Sequence, residues 1–227
     1  MNHCYKDYTL KSTTRKRETV EWCIHYSFNS EDTTNPRVFL VGDSICNGYA
    51  GISVGKLENI CNVTYWASSK CVTDPFYLRE LDFYLDYFPY DVICFNNGLH
   101  SLVTDRTEWE EAYALAVDYI RTKLPDTKLY LTLSTPLTDP KLTAISAELN
   151  EIVKKIADER GLEIIDMFTP MDVRDRTTDW SDVYHFNPPA KDEQANIIAE
   201  AVKKALNNKT ADIAHAESAT GPDGAIK

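Results

Sequence analysis

Three polar stretches hold residue types suited to acyl chemistry. "GDS", residues Gly42, Asp43 and Ser44, follows the apolar run at 37–41 and sets a serine hydroxyl where a strand gives way to a helix. Two readings of Ser44 stand side by side. It is a nucleophile raised at a strand end, or it is the cap of the following helix, since serine is a favoured N-cap and Gly-Asp-Ser a common turn composition. "SDVYHFNPPA" places Asp182 three residues before His185. An imidazole that takes a proton from a serine needs its other ring nitrogen held by an acceptor, and a carboxylate supplies both orientation and charge. The plainer alternative is a turn in which Asp182 accepts from a backbone amide and His185 packs against the next helix. "DVICFNNGLHSL" runs from an apolar stretch into Asn96, Asn97, Gly98 and His100. Such polar groups must find partners when buried, yet they suit donation to the oxyanion formed when an ester carbonyl is attacked. Gly98 permits a tight or left-handed backbone there, and local Asx-turn bonding is expected to use at least one of the two asparagines.

These stretches need a frame that brings them together. Strand-like runs recur at 37–41, 62–66, 91–95, 128–134 and 162–166, most of them apolar on both faces, as parallel strands covered by helices require. Helical spacing links Leu78, Leu81, Leu85 and Phe88; Tyr113, Val117, Ile120 and Leu124; Ile145, Leu149, Ile152 and Ile156; and Ala195, Ile198, Val202 and Leu206. The alternation predicts a three-layer α/β/α sandwich around a flavodoxin-like, five-stranded, doubly wound parallel sheet. Sites in such sheets lie beyond the carboxyl ends of the strands. All three polar stretches gather on that edge, with "STP" at 134–136 beside them.

Domain organisation reads as an N-terminal segment at 1–36, one catalytic domain at 37–207 and a polar C-terminal tail at 208–227, expected to be flexible. His215, in that tail, is given no function. With 227 residues the chain is long enough to bury a core without staples. A net charge of -11 argues against a nucleic-acid partner, and the basic cluster at 11–17 is expected to be a solvated face. No apolar run is long enough to span a bilayer. The first residues lack the apolar core of a signal peptide, which reads literally as cytoplasmic, or as secreted or periplasmic if a leader has been trimmed. The six cysteines show no C-x-x-C spacing and are expected to be free thiols, with Cys61 and Cys71 the one pair worth testing.

Taken in order, "GDS" after the first strand, the Asn/Gly motif after the third and D-x-x-H near the C-terminus resemble the SGNH, or GDSL-type, hydrolases over roughly 37–206. The resemblance implies Ser44 as nucleophile, His185 as general base and then acid, Asp182 as the group that orients His185, an acyl-serine intermediate, and no cofactor or metal. The Ser44 amide would donate to the oxyanion, and Asp43 would tie the loop together. Two departures stand out. The family's oxyanion glycine after the second strand is missing from "YWASSKCVTD", which leaves Ser69 or Ser68 as amide donors. His100 stands where the third motif usually has asparagine, with Asn97 as a substitute candidate.

Trp66, Trp109, Tyr184 and Phe186 are candidates to stack on a sugar or bound an acyl pocket, with Ser68 and Trp66 the nearest to the missing glycine. Cys46 is expected to pack in the first helical turn. The function that results is removal of a small acyl group, acetyl foremost, from a carbohydrate ester. The alternatives are an acyltransferase with the same triad, a metal-dependent hydrolase built from Asp43, His100, Asp182 and His185, and a non-catalytic carbohydrate-binding domain. Oligomeric state is not legible.

Overall fold

In a computed structural model that describes residues 4–219, with side chains through Lys209, the alternating pattern becomes one six-stranded sheet with helices on both faces. Strands β1 (Cys23–Ser27), β2 (Arg37–Gly42), β3 (Asn62–Ser68), β4 (Val92–Phe95), β5 (Lys128–Thr132) and β6 (Glu163–Ile165) lie in the order β1-β3-β2-β4-β5-β6. The five strands β2 to β6 are parallel and follow the expected flavodoxin-like order. The sixth is a correction. β1 comes from the segment at 1–36 and pairs antiparallel with β3, from Cys23 opposite Ser68 to Ser27 opposite Thr64. Its residues are exposed or half-buried, so it lacks the continuous apolar run by which the buried strands announce themselves.

Helices α1 (Ser44–Lys56), α2 (Tyr77–Leu85), α3 (Arg106–Lys123), α4 (Pro140–Arg160), α5 (Phe168–Asp172) and α6 (Pro188–Ala219) complete the chain. Side-chain alternation along β2 divides the core into two layers. Phe39 and Val41 face a layer with Leu81 of α2, Tyr113 of α3 and Leu149 of α4. Val38 and Leu40 face the opposite layer, with Ala50 of α1 and Ile198 of α6. α4 begins at Pro140 behind the cap Asp139, whose carboxylate accepts from the Lys141 and Leu142 amides, and ends at Gly161 with φ of 62°.

α6 continues to Ala219, so 208–219, expected as a flexible tail, extends that helix. The His215 side chain and residues 220–227 lie outside the described part. Among the described residues no helix is long and apolar enough to cross a membrane. All six cysteines are free, and Cys61 and Cys71 are not bonded to each other.

The topological switch of this sheet lies between β2 and β4, whose connections leave in opposite directions and open a crevice at their carboxyl ends. Ser44 follows β2 and the Gly98–His100 turn follows β4, so both stand on the two sides of that crevice.

Candidate active site

Ser44 is not the cap of α1. Asp43 takes that position: one oxygen of its carboxylate accepts from the Ile45 amide at 2.9 Å and the other from the Leu99 amide at 3.3 Å. Asp43 therefore ties the end of β2 to the end of β4 and frees the Ser44 hydroxyl for another partner. As the first residue of the helix, Ser44 also has an amide with no carbonyl one turn behind it, at the positive end of the helix dipole.

That hydroxyl lies 2.8 Å from His185 Nε2, and His185 Nδ1 lies 2.7 Å from Asp182 Oδ2. The two distances select a tautomer: Nδ1–H donates to Asp182, and Nε2 accepts the Ser44 hydroxyl proton. Asp182 also plays the turn role that sequence offered as its alternative. Its other oxygen accepts from the Tyr184 amide at 2.7 Å and the His185 amide at 2.8 Å. Partial burial pulls its pKa upward, but the ring of His185 and the two amides outweigh that and hold it at about 2.

The loop that carries His185 is fixed at both ends. Ser181 donates its amide to the His185 carbonyl at 2.8 Å, and Trp180 pairs with Phe186 in a one-residue bridge with rings 4.4 Å apart. The Asn187 side chain donates to the carbonyls of Thr178 and Trp180. Phe186 is thus a core residue of a small cluster with Met171 and Ala190.

The turn after β4 is set by close packing. A Cβ on Gly98 would sit 1.8 Å from Ser134 Oγ and 2.9 Å from Ser134 Cβ. Glycine is needed there for space; its φ of -134° lies outside the left-handed region, so no backbone strain asks for it. Asn96 donates to the Thr132 carbonyl at 2.8 Å and to Ser134 Oγ at 3.1 Å, knitting β4 to β5. Asn97 is buried and bonded on both sides of its amide: its carbonyl accepts from the Val72 amide at 2.9 Å and its NH₂ donates to the Lys70 carbonyl at 2.8 Å. It shapes the loop after β3 and, buried there, is not among the residues that line the cleft holding Ser44.

Several other sequence expectations are corrected in the same region. The Ser69 amide donates to the Trp22 carbonyl at 3.2 Å and its hydroxyl donates to Glu21 at 2.6 Å, so Ser69 anchors the N-terminal segment. The buried Ser68 hydroxyl donates to the Trp22 carbonyl at 3.3 Å and accepts from the Lys70 amide at 3.2 Å, which leaves it no face toward a ligand. Trp66 and Trp109 are fully buried, Trp66 against Tyr77 and Tyr84 with its Nε1 donating to Cys23 Sγ. Cys46 is buried, and desolvation pushes its thiol up to about 12.

Ser44 and His185 open into a cleft of about 530 Å³. One wall carries Tyr184 and the turn after β4, with Leu99, His100 and Leu102. The other is the N-terminal segment, which sequence reading took for a solvated face: Arg15 to Glu18 and Trp22 line the cleft as a strap. No motif marks these residues. The strap is pinned by Arg15 to Glu21 at 3.6 Å and by Arg17 to Asp74 at 3.1 Å. His100 projects from the β4 turn against it, Nδ1 at 2.6 Å from Glu18 Oε1, while its Nε2 is buried with no partner.

The four residues of the metal alternative do not converge: Asp43 gives its oxygens to amides, His100 pairs with Glu18, and His185 with Asp182. Among the described residues no group of three or more His, Cys, Asp or Glu is placed to hold a metal ion.

No family model and no curated relative matches the sequence. Solved structures do match the fold. A GDSL-like lipase from Bacteroides thetaiotaomicron superposes with a TM-score of 0.58 at 17% identity, over 74% of this chain and 88% of that one. A carbohydrate esterase family 3 from Talaromyces cellulolyticus gives a TM-score of 0.61 at 13% identity, over 76% and 99%. A catalytic mutant of an acetylxylan esterase from Geobacillus stearothermophilus gives 0.60 at 15% identity, over 77% and 96%. The chain has the fold of the GDSL-type hydrolases, with a Ser–His–Asp array at the switch point of its sheet.

Proposed function

We propose that this protein is a serine ester hydrolase that removes a small acyl group, acetyl foremost, from a carbohydrate. The observation that carries the reading is the unbroken run from Asp182 through His185 to the Ser44 hydroxyl, at 2.7 and 2.8 Å, opening on the cleft. Its parts have the roles that ester hydrolysis requires. His185 Nε2 takes the Ser44 proton as Oγ attacks the ester carbonyl, and Asp182 stays ionised to balance the imidazolium. The oxyanion of the tetrahedral intermediate meets the Ser44 amide at the start of α1, with His100 on the turn after β4 lining the same cleft. His185 then returns its proton to the departing sugar hydroxyl, and the acyl-serine is hydrolysed by water activated on the same ring.

The carbohydrate part rests on two supports. Two structures of this fold are named as a carbohydrate esterase and an acetylxylan esterase. The cleft also offers Tyr184, 39% exposed, and Trp22, both suited to packing on a sugar ring. The test is turnover on acetyl, butyryl and octanoyl p-nitrophenyl esters alongside an acetylated xylo-oligosaccharide. Acetyl esters are expected to give the highest kcat/KM and the oligosaccharide to release acetate. A clear preference for octanoyl, or no acetate from the oligosaccharide, sinks the acyl or the sugar part of the reading respectively.

A further inference from the structure

The basic cluster at 11–17 is the feature of the sequence that ester hydrolysis by itself leaves without a role. It holds Lys11, Arg15, Lys16 and Arg17 and no acidic residue, in a chain whose 35 acidic residues outnumber its 24 basic ones. Arg15, Lys16 and Arg17 line the cleft that holds Ser44 and His185. A charge on the wall of a cleft acts more strongly on a ligand than the same charge on an open face, because the low-dielectric walls focus its field.

The three cations differ in what they already hold. Arg15 serves the fold: its side chain is only 4% exposed, lies 3.6 Å from Glu21 and donates to the carbonyls of Ser69 at 3.3 Å and Lys16 at 2.8 Å. Arg17 is held by one edge. Its Nε donates to Asp74 Oδ2 at 3.1 Å and its guanidinium lies 4.9 Å above the Phe76 ring, while its two terminal nitrogens have no partner among the described residues. Lys16, between them, is exposed, and its ammonium makes no ion pair or hydrogen bond among the described residues. The carboxylates of the site are engaged elsewhere. Glu18, the one carboxylate among the described residues that line the cleft, lies 2.6 Å from His100 Nδ1. Asp182 is bonded to His185 and to two backbone amides. Pinning the strap thus uses Arg15 and Arg17, and Lys16 adds a positive charge with no bond of its own.

We propose that the cleft selects esters of a sugar that carries a carboxylate, a uronic acid unit, and that Lys16, with the guanidinium edge of Arg17 that Asp74 leaves open, reads that charge. A planar guanidinium matches a carboxylate with parallel hydrogen bonds, and an ammonium on a flexible stem adds a point charge that follows it. Trp22 and Tyr184 line the same cleft and offer ring faces to the neutral part of the sugar. The inference rests on the esterase reading of this cleft and narrows its substrates from carbohydrate esters in general to acidic ones.

The test uses two xylo-oligosaccharides of equal length, one with a glucuronic acid branch and one without. Each is titrated in its deacetylated form against the wild-type protein, and acetate release is then followed from the acetylated forms. At low salt the acidic sugar is expected to bind with a Kd about tenfold lower and to be hydrolysed with a kcat/KM about tenfold higher, the preference shrinking as ionic strength rises. Methyl esterification of the branch, which removes its charge, should abolish the preference. Lys16→Gln should reduce it to about threefold and Lys16→Glu remove it. Lys16 is the residue to change, because replacing Arg17 also breaks the pair with Asp74 that pins the strap. Equal Kd values for the two sugars, no binding of the acidic one, or a preference that survives Lys16→Glu or methyl esterification would overturn the proposal. Acetate release without preference refutes it and leaves the esterase reading intact. Tighter binding of the acidic sugar with no turnover of either oligosaccharide or of p-nitrophenyl acetate refutes the esterase reading alone.

Discussion

At the scale of single residues, Ser44 and Cys46 lie two positions apart and have opposite surroundings. The serine hydroxyl meets a base and an open cleft, whereas the thiol is buried and pushed up to about 12, so it stays protonated at any working pH. Ser44→Ala should therefore lower kcat by about 10⁴-fold or more, as loss of a triad nucleophile does, while Cys46→Ala stays within about threefold in the same assay. Asp182 makes a second prediction. Held at about 2 against an ordinary value near 3.9, its charge is complete above pH ~4 and is lost only as pH falls toward 2. Protonation of Asp182 should then contribute no limb to the pH profile of kcat/KM above pH ~4. Asp182→Asn, which keeps the shape but supplies the wrong partner for Nδ1–H, should cost about 10²- to 10⁴-fold in kcat in a pH-rate comparison. Sequence singled out Ser44, Asp182 and His185 by type and order, and the structure brings these three side chains into one hydrogen-bonded run. Sequence allowed Ser44 a capping position at the helix start alongside a nucleophile's role, and the cap falls instead to the neighbouring Asp43, whose side chain reaches the amide two residues on.

At the scale of elements, the parallel strands were legible because burial on both faces leaves continuous apolar runs, and the helices because their apolar residues repeat with the helical period. β1 was hidden for the opposite reason: an edge strand with exposed positions has no such run. The strap was hidden because charged side chains that pair with each other look like charged side chains that face water. Ser69 and Asn97 were plausible donors by type, but pairing with Trp22, Val72 and Lys70 is a tertiary fact that no local pattern carries. Two tests belong here. Gly98→Ala should destabilise the fold by about 1–3 kcal/mol in chemical denaturation, since its Cβ would press on Ser134 Oγ and Cβ, and Ser134→Gly in the same chain should recover part of that loss. Glu21, whose hydrogen bonds and cationic neighbours outweigh its burial, holds the strap as an anion. Because its folded value lies below the ordinary one, strap docking should be complete above pH ~4.3 and weaken as pH falls below it. Hydrogen exchange of the amides at 15–22 should quicken on that side, and should already be fast at neutral pH in Glu21→Gln.

At the scale of the whole molecule, the chain is an acidic α/β sandwich whose cleft is lined from four separate places: the end of β2, the end of β4, the loop before α6 and the strap before β1. Convergence of the first three on one sheet edge was implied by strand order, since a doubly wound sheet brings its switch-point loops together. The fourth wall came from outside the parallel sheet and required the structure. The claim on which all of this depends is that the Ser44 hydroxyl is the nucleophile, and intact-mass analysis after reaction with a fluorophosphonate tests it most directly. The account predicts one adduct per chain, mapped to Ser44 and lost in His185→Ala. Label on another residue, or no adduct on the folded protein, would contradict it.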